Sequence, residues 1–156
     1  MSAVTIVCPT LNEEKNIAAL YQKIASLVKG EWELIFVDDN SRDQTYEEVQ
    51  KIARLDHRVR LINRVGRRGL ASAAAEGFLS AMYESCILLD ADLQHDINNI
   101  NTMLEEAAKA DFDMVISSRF KEEQTLGLSA SRTKLSKTGN WMIDLILRRH
   151  LTDPLS

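Results

Sequence analysis

The chain has 156 residues, of which 45% are hydrophobic and 27% charged, and its net charge at pH 7 is -4. This size and composition are typical of one globular domain with a substantial core. The negative charge argues against nucleic acid as a partner, because nucleic-acid-binding proteins need a basic surface. No signal peptide and no run of about 20 apolar residues is evident in the sequence, so we expect a cytoplasmic domain without a membrane span.

The only two cysteines, Cys8 and Cys86, both lie within apolar runs. This position favours two buried, reduced thiols over a disulfide or a metal site, as is usual in a reducing compartment.

Five short apolar runs are typical of buried strands, and segments with the apolar spacing of helices lie between them. The predicted strands are residues 4–8, 34–37, 59–62, 87–89 and 114–118. Predicted helices follow each strand, and Asn12 and Asp96 are placed to cap two of them. Residues 122–131 read as a mobile loop, and a last helix is predicted at about 132–147. This alternation predicts an α/β fold with a mostly parallel sheet and helices on both faces.

Ligands of such sheets bind beyond the carboxyl ends of the strands, an edge that we call the carboxyl edge. Polar clusters directly follow four of the predicted strands, at residues 9–13, 38–39, 90–92 and 118–119. Four independent turns would be an unlikely explanation for this coincidence. We therefore expect the functional site at the carboxyl edge.

Asp90, Asp92 and Gln94 follow the fourth predicted strand at alternate positions. In an extended chain such side chains share a face, so we expect their oxygens to converge. Mg²⁺ and Mn²⁺ prefer these hard ligands and also bind phosphate oxygens. By itself, an Asp-x-Asp pair is equally consistent with two carboxylates that solvate a turn. The metal site is favoured here because polar clusters also follow three other predicted strands at the same edge.

Two common nucleotide-binding motifs are absent from the sequence. No G-x-G-x-x-G follows the first strand, and no G-x-x-x-x-G-K-[ST] occurs, which argues against a dinucleotide oxidoreductase and a P-loop enzyme. A site that holds a nucleotide through carboxylates and a metal indicates a nucleotide-sugar diphosphate.

Six motifs occur in order along the chain, at residues 9–13 (Pro-Thr-Leu-Asn-Glu), 37–43 (Val-Asp-Asp-Asn-Ser-Arg-Asp), 68–70 (Arg-Gly-Leu), 89–95 (Leu-Asp-Ala-Asp-Leu-Gln-His), 117–119 (Ser-Ser-Arg) and 153–156 (Asp-Pro-Leu-Ser). With them the chain resembles the family-2 glycosyltransferases, and within these the polyprenyl-phosphate (dolichol-phosphate) mannosyl or glucosyl transferases. The resemblance covers essentially the whole chain. It implies a GT-A (Rossmann-like) nucleotide-diphospho-sugar transferase fold over residues 1–156.

The resemblance also implies roles for individual residues. Asp39 would contact the base, Arg68 would lie near the donor, and Asp92 and Arg119 would be catalytic. The remaining donor-binding positions would be Pro9, Thr10, Glu13, Val37, Asp90 and Ala91. The metal ligands would be Asp90, Asp92 and Gln94, and the acceptor phosphate would meet Arg119 and Arg132.

Several of these residues have an ordinary structural alternative. Glu13 also suits a helix N-terminus, and Arg132 also suits an exposed helix start. Asp43 is better interpreted as a helix cap than as a ligand, and Asp38 as an acceptor for loop amides. Trp32 is expected to be a packing residue.

Two departures from the family pattern stand out. Asp96 occupies the place of a proline, and the chain ends at Ser156, before the elements that close the acceptor side in the family. We therefore expect an N-terminal part of a longer protein, with little or no transfer activity by itself.

The function that the resemblance implies is inverting, metal-dependent transfer of mannose or glucose, from GDP-mannose or UDP-glucose, to a polyprenyl phosphate at the cytoplasmic face of a membrane. The basic and apolar segment 132–149 is consistent with a membrane surface, and equally with a helix covered by further protein. Two alternatives remain open: a family-2 transferase with a hydroxyl acceptor on a glycan or glycolipid, and a donor-binding module without turnover.

Overall fold

A computed structural model describes residues 3–94, 96–109 and 113–117, together with residues 120–121 and 124–125, for which only the backbone is described. The chain divides into two units, Met1–Ala110 and Asp111–Ser156. Among the described residues, no helix has the length and apolar character needed to cross a membrane.

The first unit contains a four-stranded sheet in which every neighbouring pair of strands is parallel. Its strands are β1 (Val4–Thr10), β2 (Trp32–Asp38), β3 (Val59–Asn63) and β4 (Ser85–Leu88). Their spatial order is β3-β2-β1-β4. Thr10 pairs with Asp38, and Asp38 pairs with Asn63, so the carboxyl ends of β1, β2 and β3 are level with one another. The predicted parallel sheet is confirmed.

Four helices of this unit are described, and they cover both faces of the sheet. They are α1 (Glu14–Leu27), α2 (Thr45–Leu55), α3 (Leu70–Leu79) and α4 (Asn99–Lys109). The larger core cluster joins one face of the sheet to α1, α2 and α4, through residues such as Leu20, Val49 and Ile100. The smaller cluster joins the other face to α3 through Ala73. The apolar spacing of the sequence predicted this arrangement correctly.

Gly77 lets α3 lie directly on the sheet. A Cβ at this position would overlap the side chain of Val7 and would lie 3.2 Å from Val37 Cγ2. A helix interior normally disfavours glycine, so close packing is the reason for this one. The contact fixes α3, and with it the chain that leads from β3 into α3.

The two cysteines differ in environment. Cys8 on β1 is completely buried, as predicted, whereas Cys86 on β4 is exposed. The expectation for Cys86 was wrong because α3 packs over β1 and β2, and the described residues leave this face of β4 open. Leu88, on the same face of β4, is likewise 46% exposed.

The predicted fifth strand is not found among the described residues. Residues 114–117 form no ladder, and Met114 and Ile116 are 76% and 62% exposed. An apolar, β-branched run favours extended backbone, but a strand also needs a neighbour to bond, which the sequence does not reveal. The second unit instead contains a short antiparallel pair, β5 (Phe120–Lys121) and β6 (Gln124–Thr125). The predicted last helix lies outside the described residues, and so does most of the predicted loop 122–131.

Candidate functional site

The loops that follow β1 and β2 are bonded to each other at the carboxyl edge. The N–H of Asn12 donates to Ser41 Oγ over 2.8 Å, and the N–H of Arg42 donates to Asn12 Oδ1 over 2.9 Å. Asn12 and Asn40 both adopt positive φ, of 60° and 58°, which asparagine tolerates better than most residues. The expected capping role of Asn12 was wrong, because α1 has no side-chain cap and the Asn12 amide is used between the loops.

Asp38 lies beneath these loops and is completely buried. Its carboxylate accepts a hydrogen bond from the N–H of Ser41 over 2.8 Å and another from Thr10 Oγ1 over 3.1 Å. The interpretation of Asp38 as an acceptor for loop amides is therefore confirmed. The Thr10 hydroxyl is used in the same network, and Thr10 O accepts from the N–H of Asp39 over 3.0 Å.

Asp43 connects the starts of two helices. Its carboxylate accepts from the N–H of Thr45, the first residue of α2, over 3.0 Å and from the N–H of Glu14, the first residue of α1, over 3.2 Å. Partial burial raises the pKa of Asp43, but these hydrogen bonds outweigh it and hold the pKa below its ordinary value. Asp43 is thus a structural residue at the helix starts, as the sequence favoured.

A buried ion pair joins the ends of β2 and β3. Arg64 directly follows β3 and is 2% exposed, and its Nη1 donates to Asp39 Oδ1. The same guanidinium donates to Ser72 Oγ over 2.6 Å and to Gly69 O over 3.2 Å. The N–H of Gly69 in turn donates to Asp39 Oδ2 over 2.7 Å. Sequence reasoning missed Arg64, although an arginine between a strand and a glycine-containing loop was a usable signal.

The β3–α3 loop (residues 64–69) carries two further arginines, and both are exposed. Arg67 pairs with Glu76 over 3.0 Å, whereas Arg68 makes no ion pair with any described residue. Gly66 and Gly69 have φ of 74° and 131°, values that favour glycine. The predicted donor-site cation Arg68 therefore directly precedes Gly69, whose N–H Asp39 binds, and no carboxylate of the described residues pairs with it.

The Asp-x-Asp motif lies in a turn that follows β4. Strand pairing continues one residue beyond the end of β4, since the N–H of Leu89 donates to Val7 O over 3.0 Å. The chain then turns, with Leu93 at φ 61° and Asp92 Oδ1 accepting from the N–H of Gln94 over 3.0 Å. The expectation of an extended chain through Gln94 was wrong, because the Asp92 side chain bonds its own backbone two residues on, as aspartates in turns commonly do.

Three carboxylates, from the loops after β1 and β4, influence the thiol of Cys8 on β1. Burial raises the pKa of the Cys8 thiol far above its ordinary value, and the negative charges of Asp90, Glu13 and Asp92 raise it further, in that order. β4 pairs with β1, and this pairing continues to Leu89, so the turn with Asp90 and Asp92 follows the strand next to the one that Glu13 follows. Asp90 and Asp92 are exposed and flank the buried Ala91, while Glu13 accepts from Asn16 Nδ2 over 2.7 Å.

This group of side chains suits a divalent cation that is shared with a ligand. No cluster of three or more His, Cys, Asp or Glu side chains able to hold a metal alone occurs among the described residues. Mg²⁺ and Mn²⁺, however, are often bound by one or two carboxylates together with substrate phosphates and water. Two exposed carboxylates and an exposed amide oxygen from Gln94, in one turn, fit that kind of binding.

The structure places most of the predicted site residues at or just beyond the carboxyl edge. These are Pro9, Thr10, Glu13, Val37, Asp39, Arg68, Asp90, Ala91, Asp92 and Gln94. The side chain of Val37 is completely buried in the smaller core cluster, so only its backbone is available for a ligand. Arg119 and Arg132 lie outside the described residues.

Comparison with known proteins identifies the family. Residues 5–154 match the model of glycosyl transferase family 2. The chain is 32% identical over 157 residues to the dolichol-phosphate mannosyltransferase of Pyrococcus furiosus, covering 98% of this chain and 44% of that protein. It is 37% identical over 105 residues to the dolichol-phosphate mannosyltransferase of Saccharomyces cerevisiae, covering 65% of this chain and 39% of that protein. The chain thus spans less than half the length of these relatives.

Solved structures agree on the fold. The mannosyltransferase PcManGT from Pyrobaculum calidifontis, in complex with GDP-Man and Mn²⁺, superposes with a TM-score of 0.56 at 27% identity, over 68% of this chain and 31% of that one. S. aureus TarS 1-349 in complex with UDP-GlcNAc superposes with a TM-score of 0.59 at 24% identity, over 77% of this chain and 38% of that one. The α/β fold is the GT-A fold of these glycosyltransferases, and the chain belongs to glycosyl transferase family 2.

Proposed function

We propose that this chain carries the donor-binding part of an inverting, metal-dependent hexosyltransferase. It would move mannose or glucose from GDP-mannose or UDP-glucose to a polyprenyl phosphate at the cytoplasmic face of a membrane. The observation that carries the proposal is the placement of Glu13 after β1, and of Asp90 and Asp92 after β4, at the carboxyl ends of two paired neighbouring strands. The similarity to two dolichol-phosphate mannosyltransferases supports the lipid phosphate, and that to a mannosyltransferase bound to GDP-Man and Mn²⁺ supports the donor and the metal.

Asp39 is the proposed contact to the base. Asp39 is 7% exposed, and its carboxylate already accepts from Arg64 and from the N–H of Gly69. An ionised carboxylate has about four lone-pair sites, so two remain for the N–H groups of a base. The N–H of Gly69, together with a positive charge beside Oδ1, holds the carboxylate in place for that contact.

Asp90, Asp92 and Gln94 would hold the Mg²⁺ or Mn²⁺ ion together with the diphosphate of the donor. The ion would supply positive charge to the nucleoside diphosphate, the leaving group of the reaction. These two aspartates repel a diphosphate when no cation is present, since like charges raise the free energy of binding. We therefore expect donor binding to depend strongly on the metal.

Arg68 would contribute a second positive charge near the diphosphate. Breaking the bond between the anomeric carbon and the diphosphate transfers negative charge to the leaving group, and a nearby fixed cation stabilises that charge. Arg68 makes no ion pair within the described part of the chain, so no carboxylate there competes with the diphosphate for it.

The proposed acceptor determines which residues the reaction needs. A phosphate monoester is already anionic at neutral pH, so its oxygen attacks without a general base, whereas a sugar hydroxyl would need one. The acceptor requires cations, for which we propose Arg119 and Arg132. One direct displacement at the anomeric carbon gives inversion.

The proposal is tested by measuring the melting temperature of the chain with GDP, UDP, GDP-mannose and UDP-glucose, each with and without Mn²⁺. A ligand that binds only the folded state at 100 times its Kd stabilises the protein by about 2.7 kcal/mol. We expect an increase in melting temperature for the nucleotides of one base and only with Mn²⁺. No metal-dependent increase with any nucleotide would refute the proposed donor site.

A further inference from the structure

Arg64 is a buried charge whose two terminal nitrogens are hydrogen-bonded, whereas its Nε has no hydrogen-bond partner among the described residues. Its side chain is 2% exposed and lies between two carboxylates, with Nη1 bonded to Asp39 and Nε 3.2 Å from Glu76 Oε2. A buried ion pair contributes little net stability, because the cost of desolvating both charges offsets their attraction. Stability therefore gives a weak reason for an arginine here, and a role in geometry is the better explanation.

The guanidinium joins three parts of the chain that meet at the carboxyl edge. It contacts Asp39 after β2, the carbonyl of Gly69 at the end of the β3–α3 loop, and Ser72 in the first turn of α3. A planar guanidinium presents five N–H donors in a fixed fork, so it can hold several acceptors in one arrangement. A lysine has one nitrogen on a flexible stem and would not hold the same set.

Besides the exposed ion pair between Arg67 and Glu76, which contributes little, the β3–α3 loop has few other constraints from the described residues. Residues 65–68 are exposed, and a Cβ added at Gly66 would meet nothing within 4 Å. At one end the N–H of Arg64 donates to Asp38 O over 2.8 Å, and at the other the N–H of Gly69 donates to Asp39 Oδ2. The position of Arg68, which directly precedes Gly69, thus depends on Asp39 and Arg64.

From this geometry we propose that Arg64 is a positioning residue for donor binding. Through Asp39, Gly69 and Ser72 it holds the β3–α3 loop so that Arg68 stays at the diphosphate of the donor. This inference rests on the proposed function, and it adds that the contribution of Arg68 to diphosphate binding depends on Arg64. Arg64 itself is buried and does not touch the donor.

The test is a double-mutant cycle with Arg64→Lys and Arg68→Ala. Affinities for GDP and UDP, and for the matching nucleosides, are measured by calorimetry in the presence of Mn²⁺. Loss of one charge-assisted contact should weaken diphosphate binding about tenfold in each single variant, with nucleoside binding changed less than about twofold. The affinity of the double variant for the diphosphate should equal that of the single variant that binds it less tightly. The reason is that both changes remove the same contact, that of Arg68 with the diphosphate.

Arg60→Lys is the matched control, since Arg60 is another arginine of the β3 region that pairs with a buried carboxylate, Glu33, over 3.0 Å. We expect it to change the melting temperature and leave both affinities unchanged. Arg64→Lys keeps a positive charge beside Asp39 and Glu76. If it nevertheless fails to fold, Ser72→Ala removes only one acceptor, and it should weaken diphosphate binding about threefold in the wild-type background and not in Arg68→Ala.

Two results would overturn the inference while the proposed function stands, provided that the wild-type chain binds a nucleoside diphosphate. The first is that the losses of diphosphate affinity in Arg64→Lys and Arg68→Ala add up in the double variant. The second is that Arg64→Lys weakens the binding of diphosphate and nucleoside equally. If the wild-type chain binds no nucleoside diphosphate with Mn²⁺, the proposed function fails and the inference fails with it.

Discussion

The carboxylate of Asp43 accepts a hydrogen bond from the backbone N–H of Glu14 over 3.2 Å, although 29 residues separate the two in the chain. The same carboxylate binds the N–H of Thr45 at the start of α2. The loops after β1 and β2 are therefore joined by Asp43 at the starts of α1 and α2, as well as by the hydrogen bond between Asn12 and Ser41. Asp43 is thus one of several side chains that fix the spacing between these two parts of the carboxyl edge.

We predict that Asp43→Asn destabilises the protein by about 1–3 kcal/mol, the cost of a partly buried group left without its partner. The asparagine amide cannot accept from Thr45 and Glu14 together, because one of its two polar atoms is a donor. Urea denaturation measures the free energy of unfolding. Glu47→Gln is the control, since Glu47 is an exposed acidic residue in the first turn of α2. Equal stability of the two variants would contradict the prediction.

The sheet and the location of the site were predictable from the sequence because they depend on local patterns. All seven residues of β2 are buried, and a continuous apolar run is the signature of a strand covered on both faces. Parallel strands place their following loops at one edge, so the polar clusters after β1, β2 and β4 were expected there. The run at 114–117 has the same local character, yet it forms no strand within the described part of the chain.

The contacts between loops were not predictable in the same way. Asn12 has the character of a helix cap, but its amide bonds Arg42, which is 30 residues away in the sequence. Arg64 was overlooked because a charged residue gives no apolar signal, and its partners come from β2 and α3. In each case a tertiary partner decides the role of a polar side chain, and the sequence does not show which partners will meet.

Gly77→Ala provides a test of the packing of α3 on the sheet. Alanine is favoured over glycine in a helix by about 1 kcal/mol, so propensity alone predicts stabilisation. The added methyl group would overlap Val7, and overpacking of this kind costs about 1–3 kcal/mol. We expect a net loss of stability, measured by urea denaturation.

The control for this prediction is the same change in a Val7→Ala background. Removing the valine methyl groups removes the overlap, so Gly77→Ala should then stabilise the protein by up to about 1 kcal/mol relative to Val7→Ala alone. If Gly77→Ala stabilises the protein that retains Val7, α3 does not lie as close to β1 as the structure shows.

Asp56 gives the chain a pH-dependent contribution to stability. Its carboxylate accepts from the guanidinium of Arg58 at 2.6 Å and from the hydroxyl of Tyr21 at 3.0 Å, and the guanidinium lies 3.8 Å from the centre of the Trp32 ring. Trp32 is buried, in agreement with its predicted packing role. The hydrogen bonds from Arg58 are the main cause that holds the pKa of Asp56 far below its ordinary value.

Because the folded-state pKa lies below the unfolded value of about 3.9, the ionised carboxylate stabilises the fold fully above that pH. The contribution is lost as the pH falls from the unfolded pKa toward the folded one. We predict that Asp56→Asn destabilises the protein at pH 7 by about 1–3 kcal/mol, and that its difference from wild type shrinks below about pH 4. Glu31→Gln, at an exposed acidic residue, should show a small difference at both pH values. A difference for Asp56→Asn that is constant down to pH 3 would contradict this account.

The last prediction separates a metal ligand from a carboxylate that only shapes the turn after β4. Asp92 is exposed, and an asparagine can still accept from the N–H of Gln94 through its Oδ1, so Asp92→Asn should leave the melting temperature within a few degrees of wild type. It replaces an anionic oxygen with a neutral one, which divalent cations bind more weakly. Changing a group that merely supports a ligand costs about 10–100-fold in metal affinity, so loss of a direct ligand should weaken Mn²⁺-dependent nucleotide binding at least about that much.

Asp96→Asn is the matched control for this variant. Asp96 is an exposed aspartate near the same turn, and its carboxylate likewise accepts from a backbone N–H two residues on, that of Asn98. Asparagine can keep that hydrogen bond, so only the negative charge is removed, and we expect metal-dependent binding to persist. Calorimetric titration of nucleotide at a series of Mn²⁺ concentrations compares the two variants with wild type. If Asp92→Asn binds with the wild-type dependence on Mn²⁺, or if both variants lose binding equally, the carboxylate of Asp92 acts through general charge or turn structure and is not a ligand.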